Sequence, residues 1–301
     1  MIPTNGSDPS PMPESEECID YSTVDPDYIL INRDIDRSLY ENITEDIRKR
    51  NIDKVTKKKC IVFLTTYGGD PHAAYRVGRC LRHTYKYVRV VIPSICKSAG
   101  TLLAICGNEL AVGDMGELGP LDIQVRKADE LSERSSGLDI LNSFSIIQSH
   151  SIRVFVSVLQ ELRYGAGLST RLASSLAVKM AIGASRPLYE QIDPIRAAEM
   201  NRAVRISVEY GRRLNEHSKN LQNGALERLT TGYPDHGFVI DRKEAKALFN
   251  KVDKLSKEEM FICDKYGDCV FDVMTDDDCF GPCFLSDDDI SKLGEEREHE
   301  E

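Results

Sequence analysis

The chain has no apolar run long enough to read as a membrane span. Its longest, Val88 to Gly107, is broken by Arg89, Pro93 and Lys97, whereas a span needs about 20 consecutive apolar residues. Strand, turn and helix explain that stretch better, and no integral membrane segment is expected. A basic stripe is also missing: 39 Lys and Arg stand against 49 Asp and Glu, for a formal net charge of −10. There is therefore no electrostatic case for a nucleic-acid partner or an anionic membrane surface. No Gly-x-x-x-x-Gly-Lys loop occurs, so any chemistry is expected to be ATP-independent by itself. No basic segment followed by an apolar run opens the chain, so no secretory signal is read and a cytoplasmic location is expected. Nine Cys is an odd number for a secreted disulfide framework. Cys60, Cys80, Cys96 and Cys106 lie in apolar or helical contexts that suit reduced thiols.

What is present centres on Cys60 to Asp122. Cys60 to Thr66 is apolar and β-branched and leads to Gly68-Gly69, which reads as a buried strand entering a tight turn, with a helix beginning near Ala73. The pattern repeats. Val88 to Pro93 is a second short strand, and Lys97-Ser98-Ala99-Gly100 opens a helix of small residues through about Cys106. Two consecutive strand-turn-helix units imply parallel strands with both turns at one sheet edge, so Gly68-Gly69 and Ser98 are expected to face each other. A serine at a helix N-terminus sits where developing negative charge is favoured, and amides from two such turns can point into one space. Ser is also a common capping residue, and the glycines can simply permit a turn.

The segments TTYGGD, CKSAGTLLA and GELGPLD resemble the serine dehydrogenase proteinase family, a branch of the Clp-like and signal-peptide-peptidase-like serine peptidases on the crotonase fold. The resemblance runs in order through about Leu255. It implies an α/β, ClpP/crotonase-like fold of repeated β-β-α units, with a parallel sheet and C-terminal helices. It also implies a serine hydrolase acting on peptide or protein substrates and assembling as a homo-oligomer. Ser98 is then the nucleophile, with the oxyanion hole at Gly68, Gly69 and Ala99. No cofactor is expected.

In Clp-type peptidases the base is a His about 25 residues after the nucleophile, and the corresponding stretch here, Leu121-Asp122-Ile123-Gln124, has none. Asp122 either orients a base supplied from elsewhere or anchors the turn through backbone amides. The segment Tyr233 to Asp241 resembles the part of those peptidases that carries the acid, and His236 stands at the acid's place. A triad is defined by mutual geometry and not by chain order, so a swapped Ser98, His236, Asp122 set would serve, with His236 a turn residue otherwise. Lys179 is the alternative base, since signal-peptide-peptidase relatives use a Ser-Lys dyad in which a desolvated amine takes the proton. Lys97, next to Ser98, should point away. His72 is read as a capping or surface residue, His83 as a cation at a helix C-terminus, and His150 as a packed or interface residue.

With 301 residues and 41% hydrophobic content, one large domain with an appendage fits. We divide it as 1–24, a disordered lead rich in Pro, Ser and acid; 25–255, the peptidase-like domain; 256–285, a small Cys-rich appendage; and 286–301, an acidic disordered tail. Tyr28 to Asn32 reads as a first strand, Ile35 to Arg50 as an amphipathic helix, and Lys127 to Gly137 as a mobile flap over a cleft. Long helices follow at Leu138 to Arg163, Ser169 to Ile182 and Asn201 to Asn220, with Pro187 and Pro194 interrupting helicity between the last two. In the appendage, Cys263, Cys269, Cys279 and Cys283 are candidate Zn²⁺ ligands, but no pair has the two-residue spacing of a zinc knuckle. Without metal, Met260 to Ile262 would pair with Cys269 to Val273 as β structure. Two further functions remain open: a catalytically weak crotonase-fold interaction module, and an acyl-thioester binder using the same amide pair.

Overall fold

The structure, a computed structural model, describes residues 20–21, 23–121, 124–126, 134–274 and 283–285, with the backbone alone at 124–126 and 134–142. The chain opens with β1 (Pro26–Ile31), α1 (Arg37–Ile52), β2 (Lys59–Leu64), α2 (Pro71–Thr84) and β3 (Tyr87–Ile92). Next come β4 (Ile95–Cys96), α3 (Ala99–Ala104), β5 (Glu109–Val112), β6 (Glu117–Leu118) and the strand pair β7 (Gln124–Arg126) and β8 (Arg134–Ser136). Of the expected flap, residues 127–133 lie outside the described residues. A helical region follows: α4 (Gly137–Gln160), a π-helical turn at Glu161–Gly165, α5 (Thr170–Tyr189), α6 (Pro194–Ser218), α7 (Ala225–Thr231) and α8 (Arg242–Ala245). The last elements are β9 (Val252–Asp253), α9 (Lys257–Tyr266), α10 (Asp268–Phe271) and β10 (Cys283–Phe284).

The main sheet has strand order β10-β1-β2-β3-β5-β9, parallel throughout except for the antiparallel β1–β10 pair at one edge. The fold is thus mixed α/β with a mostly parallel sheet. Both faces are covered, and the register shows how. Ile29, Val62, Val90, Leu110 and Val252 lie side by side across five strands and face the core that Leu39, Ile43 and Ile47 of α1 and Val77 and Leu81 of α2 complete. One residue along, Leu30, Phe63, Val91 and Ala111 are also in register and face the opposite way, toward Ile262, Cys263 and Val270. Each side chain of this size is worth about 1.5–3 kcal/mol when removed from water. A strand buried on both faces therefore reads as an unbroken apolar run rather than an alternation.

The C-terminal segment thus covers the second face of the sheet, where a small β appendage was expected. Ser256 and Glu259 form a reciprocal capping box at the start of α9, the strongest local signal for a helix there. Glu259, buried at 1% exposure, also receives the guanidinium of Arg89 from β3, with one contact at 3.1 Å. Asn32 Nδ2 donates to Cys269 O (2.9 Å), and Met274 N–H donates to Asn32 O (2.7 Å).

Pro187 does not end its helix. α5 runs through it to Tyr189, and the break comes at Asp193, whose carboxylate caps α6 with Pro194 at its first position, where the missing N–H costs nothing. No helix among the described residues is long and apolar enough to cross a membrane.

Candidate active site

Because β1, β2, β3 and β5 are parallel, the loops that follow them leave from the same sheet edge. The first carries Ile35, the second Gly68-Gly69 and the third Ser98. Ile35 N–H donates to Gly68 O and Asp70 N–H donates to Ile35 O, both at 2.7 Å, making a one-residue parallel bridge centred on Gly69. In such a bridge the N–H and C=O of the central residue point away from the partner strand. A Cβ on Gly69 would lie 2.1 Å from Ile35 O, and its φ of 132° is one that L residues rarely adopt. Gly68, φ 122°, is held by Thr66, whose Oγ1 accepts from its N–H at 3.0 Å.

Ser98 stands at φ 51°, ψ −114° immediately before α3 and makes no side-chain capping bond. The strained backbone is imposed from both sides. Lys97 N–H donates to Thr66 O (3.0 Å), Gly100 N–H to Lys97 O (2.8 Å) and Leu102 N–H to Ser98 O (3.1 Å). Holding a non-glycine residue in such a region costs about 1–3 kcal/mol and persists only where the surroundings over-determine it. The N–H of Ala99, first in its helix, has no intrahelical acceptor.

His236 comes from far along the chain. Its segment is stitched to β6 by paired bonds between Leu118 and Ile240 (2.9 and 3.0 Å). Tyr233 anchors it through its ring against Phe238, 4.8 Å between centroids, and its hydroxyl on Glu244 at 2.9 Å. Asp235 is turned onto its own loop, accepting from Gly237 N–H. The half-buried imidazole of His236 lines one cavity of about 460 Å³ together with Gly68, Gly69, Ser98 and Ala99.

Of the other residues singled out from sequence, Asp122 lies outside the described residues, directly after the cavity-lining Leu121. Lys179 is exposed on α5 and is not among the residues that line the cavity. Lys97 points away from the cavity, as expected, toward Glu117 at 2.8 Å. His72 is exposed, with Nδ1 2.9 Å from Tyr210 Oη of α6, and His83 is exposed at the end of α2. Cys279 lies outside the described residues, and no group of metal-binding side chains occurs among those described. Burial pushes the Cys263 thiol up to about 12.

Sequence reasoning missed Asp34, Asp36, Asp70 and Ser207, which also line the cavity. Asp36 and Asp70 cap α1 and α2, accepting from Leu39 N–H (2.8 Å) and His72 N–H (2.9 Å). An acid just before each apolar-periodic stretch was the available signal. Burial works to raise the Asp36 carboxyl, but hydrogen bonds from Leu39 and Ser38 and the Arg33 charge outweigh it and hold it below the usual value. Ser207, buried on α6, had no local signal at all.

No family model and no curated protein matches the chain. Among solved structures it is similar, at 17% identity and a TM-score of 0.31, to two mutant forms of the 1510-N membrane-bound stomatin-specific protease, the second in complex with a substrate peptide. The match covers 48% of this chain in each case, and 65% and 62% of those chains, so less than two thirds of their length is spanned. It is a distant likeness.

Proposed function

We propose that the protein is a serine hydrolase of ClpP/crotonase-like fold that cleaves peptide bonds. The observation that carries this reading is the shared cavity of Ser98, Gly68, Gly69, Ala99 and His236, with Ser98 strained at its edge and not used as a cap. In the reaction, Ser98 Oγ attacks the scissile carbonyl carbon while the His236 imidazole takes its proton. The carbonyl oxygen becomes an oxyanion held by the amides of Gly69 and Ala99, donors typically worth about 2.7–4 kcal/mol each. His236 then protonates the departing amine. Water, deprotonated by the same imidazole, releases the acyl group from Ser98 and restores the hydroxyl. Asp122 is the proposed orienting acid.

A homo-oligomer is part of this proposal. Ile146, Ile152 and Val156 of α4 and Val178, Met180 and Ile182 of α5 are exposed, and so much apolar surface on two packed helices suits a second copy. Sedimentation of the purified chain reads this directly, and a monomer at all concentrations removes it.

Labelling with a fluorophosphonate across pH 5 to 10 tests the chemistry. Wild type is expected to label, Ser98→Ala not to label at all, and His236→Ala to fall at least a hundredfold to a slow residual rate. Asp122→Asn should slow it. Wild-type labelling in His236→Ala with loss in Lys179→Ala would move the assignment to a Ser-Lys dyad. Absence of labelling at every pH would leave an interaction module as the better reading.

A further inference from the structure

Lys97 is a buried cation that the reaction above does not use. Its side chain is 9% exposed and runs so close to Gly119 that a Cβ there would lie 2.6 Å from Lys97 Cδ. Its ammonium has three donors and three acceptors: Leu118 O at 3.3 Å, Phe238 O at 3.3 Å and Glu117 Oε1 at 2.8 Å. Its backbone joins the same assembly, with N–H on Thr66 O two residues before Gly68 and C=O receiving Gly100 N–H. One residue therefore touches the glycine turn, the nucleophile turn and, two residues from His236, the loop that carries the imidazole. Tyr233 and Ile240 anchor that loop at its two ends, but between and beside them Gly232, Pro234, Asp235, Gly237 and Val239 are all exposed.

Stability alone explains this arrangement poorly. A buried ion pair replaced by apolar groups of similar volume is often neutral or more stable, because the charges are costly to desolvate. What an ammonium supplies, and an apolar side chain does not, is simultaneous directional bonding to carbonyls of two separate segments. Resting on the hydrolase reading, we infer that Lys97 is a positioning residue that sets the His236 imidazole against Ser98, with Glu117 as its counter-charge.

The test is a double-mutant cycle on the fluorophosphonate labelling rate in wild type, Lys97→Met, His236→Ala and the double variant, with Ser98→Ala as the blank and a thermal melt of each. Lys97→Met should slow labelling at least tenfold in the presence of His236, flatten its pH profile, and change the rate less than twofold in the His236→Ala background. Lys97→Arg should recover part of the rate. Equal factors in both backgrounds, or wild-type labelling in Lys97→Met, would overturn the inference while leaving the hydrolase reading intact. A wild type that never labels at Ser98 removes both. Should Lys97→Met leave Glu117 uncompensated and unfold, the Lys97→Met, Glu117→Gln pair removes both charges and is read by the same criteria.

Discussion

Gly68 and Ser98 meet with no room between them: a Cβ on Gly68 would fall 2.9 Å from the Cβ of Ser98 and 3.1 Å from Lys97 O. The hydrogen at Gly68 is what lets the two turns close over one cavity. Gly68→Ala is therefore expected to push Ser98 off its position and to lower fluorophosphonate labelling at least a hundredfold. The backbone strain at φ 122° should cost about 1–3 kcal/mol in addition. Gly69→Ala, with its Cβ driven against the Ile35 carbonyl, should lose more stability than Gly68→Ala. Urea titration of both variants checks the order.

Ser98→Gly separates strain from chemistry. Glycine accepts φ 51°, ψ −114° without the penalty an L residue carries. After its greater freedom in the unfolded chain is subtracted, a net gain of roughly 1 kcal/mol is expected, with labelling abolished. A lower melting temperature in Ser98→Gly would show that the backbone there stores no strain.

The Arg89–Glu259 pair holds α9 on the sheet, with side chains 12% and 2% exposed. Breaking a buried pair from one side typically costs about 3–5 kcal/mol, because a charge is left behind. Glu259→Gln should approach that loss, tempered by the second partner of Arg89, Glu109. Hydrogen exchange should show α9 and α10 opening first. Uniform loss of protection over the whole sheet would mean that these helices unfold only with the rest.

Glu109 gives a signed dependence on pH. Burial works to raise its carboxyl, and hydrogen bonds from Tyr87 and Arg89 outweigh it, so its value in the folded chain lies below the ordinary one. A group depressed on folding contributes stability above its unfolded value, about 4.3 for Glu, and loses it as the pH falls through the folded value. Glu109→Gln should thus be less stable than wild type at pH 7, with the gap closing toward pH 3. A gap that widens on acidification would reverse the sign.

Buried thiols offer a check on packing. Burial pushes Cys106 and Cys263 up to about 12, and since the thiolate is the reacting form, both should resist alkylation at pH 8 until denaturant is added. Cys269, only partly buried, should react sooner. Equal rates for all three in the native protein would place the two in solvent-accessible positions.

Much of the architecture was legible because it is local. Cys60 to Thr66 and Val88 to Pro93 announce buried strands by unbroken β-branched and apolar content, and glycines and Ser98 mark the turns after them. Parallel order then puts those turns at one edge, so that Gly68 and Ser98 could be paired without coordinates. The helix of α1 followed from Leu39, Ile43 and Ile47 at helical spacing. The end of α5 was misjudged at Pro187 because a helix can give up one hydrogen bond near its terminus when packing against a neighbour holds it.

Local pattern had no access to which distant segments cover a surface. The apolar residues of α9 look like a short β pair until the second face of the sheet, apolar like the first, requires a helix-sized cover. Likewise nothing around Ser207 marks it as lining the cavity of Ser98, and only a resemblance pointed to His236. Their placement depends on α6 lying across α2 and on a loop more than a hundred residues downstream pairing with β6, contacts whose free energy belongs to the closed core and to no single stretch of chain.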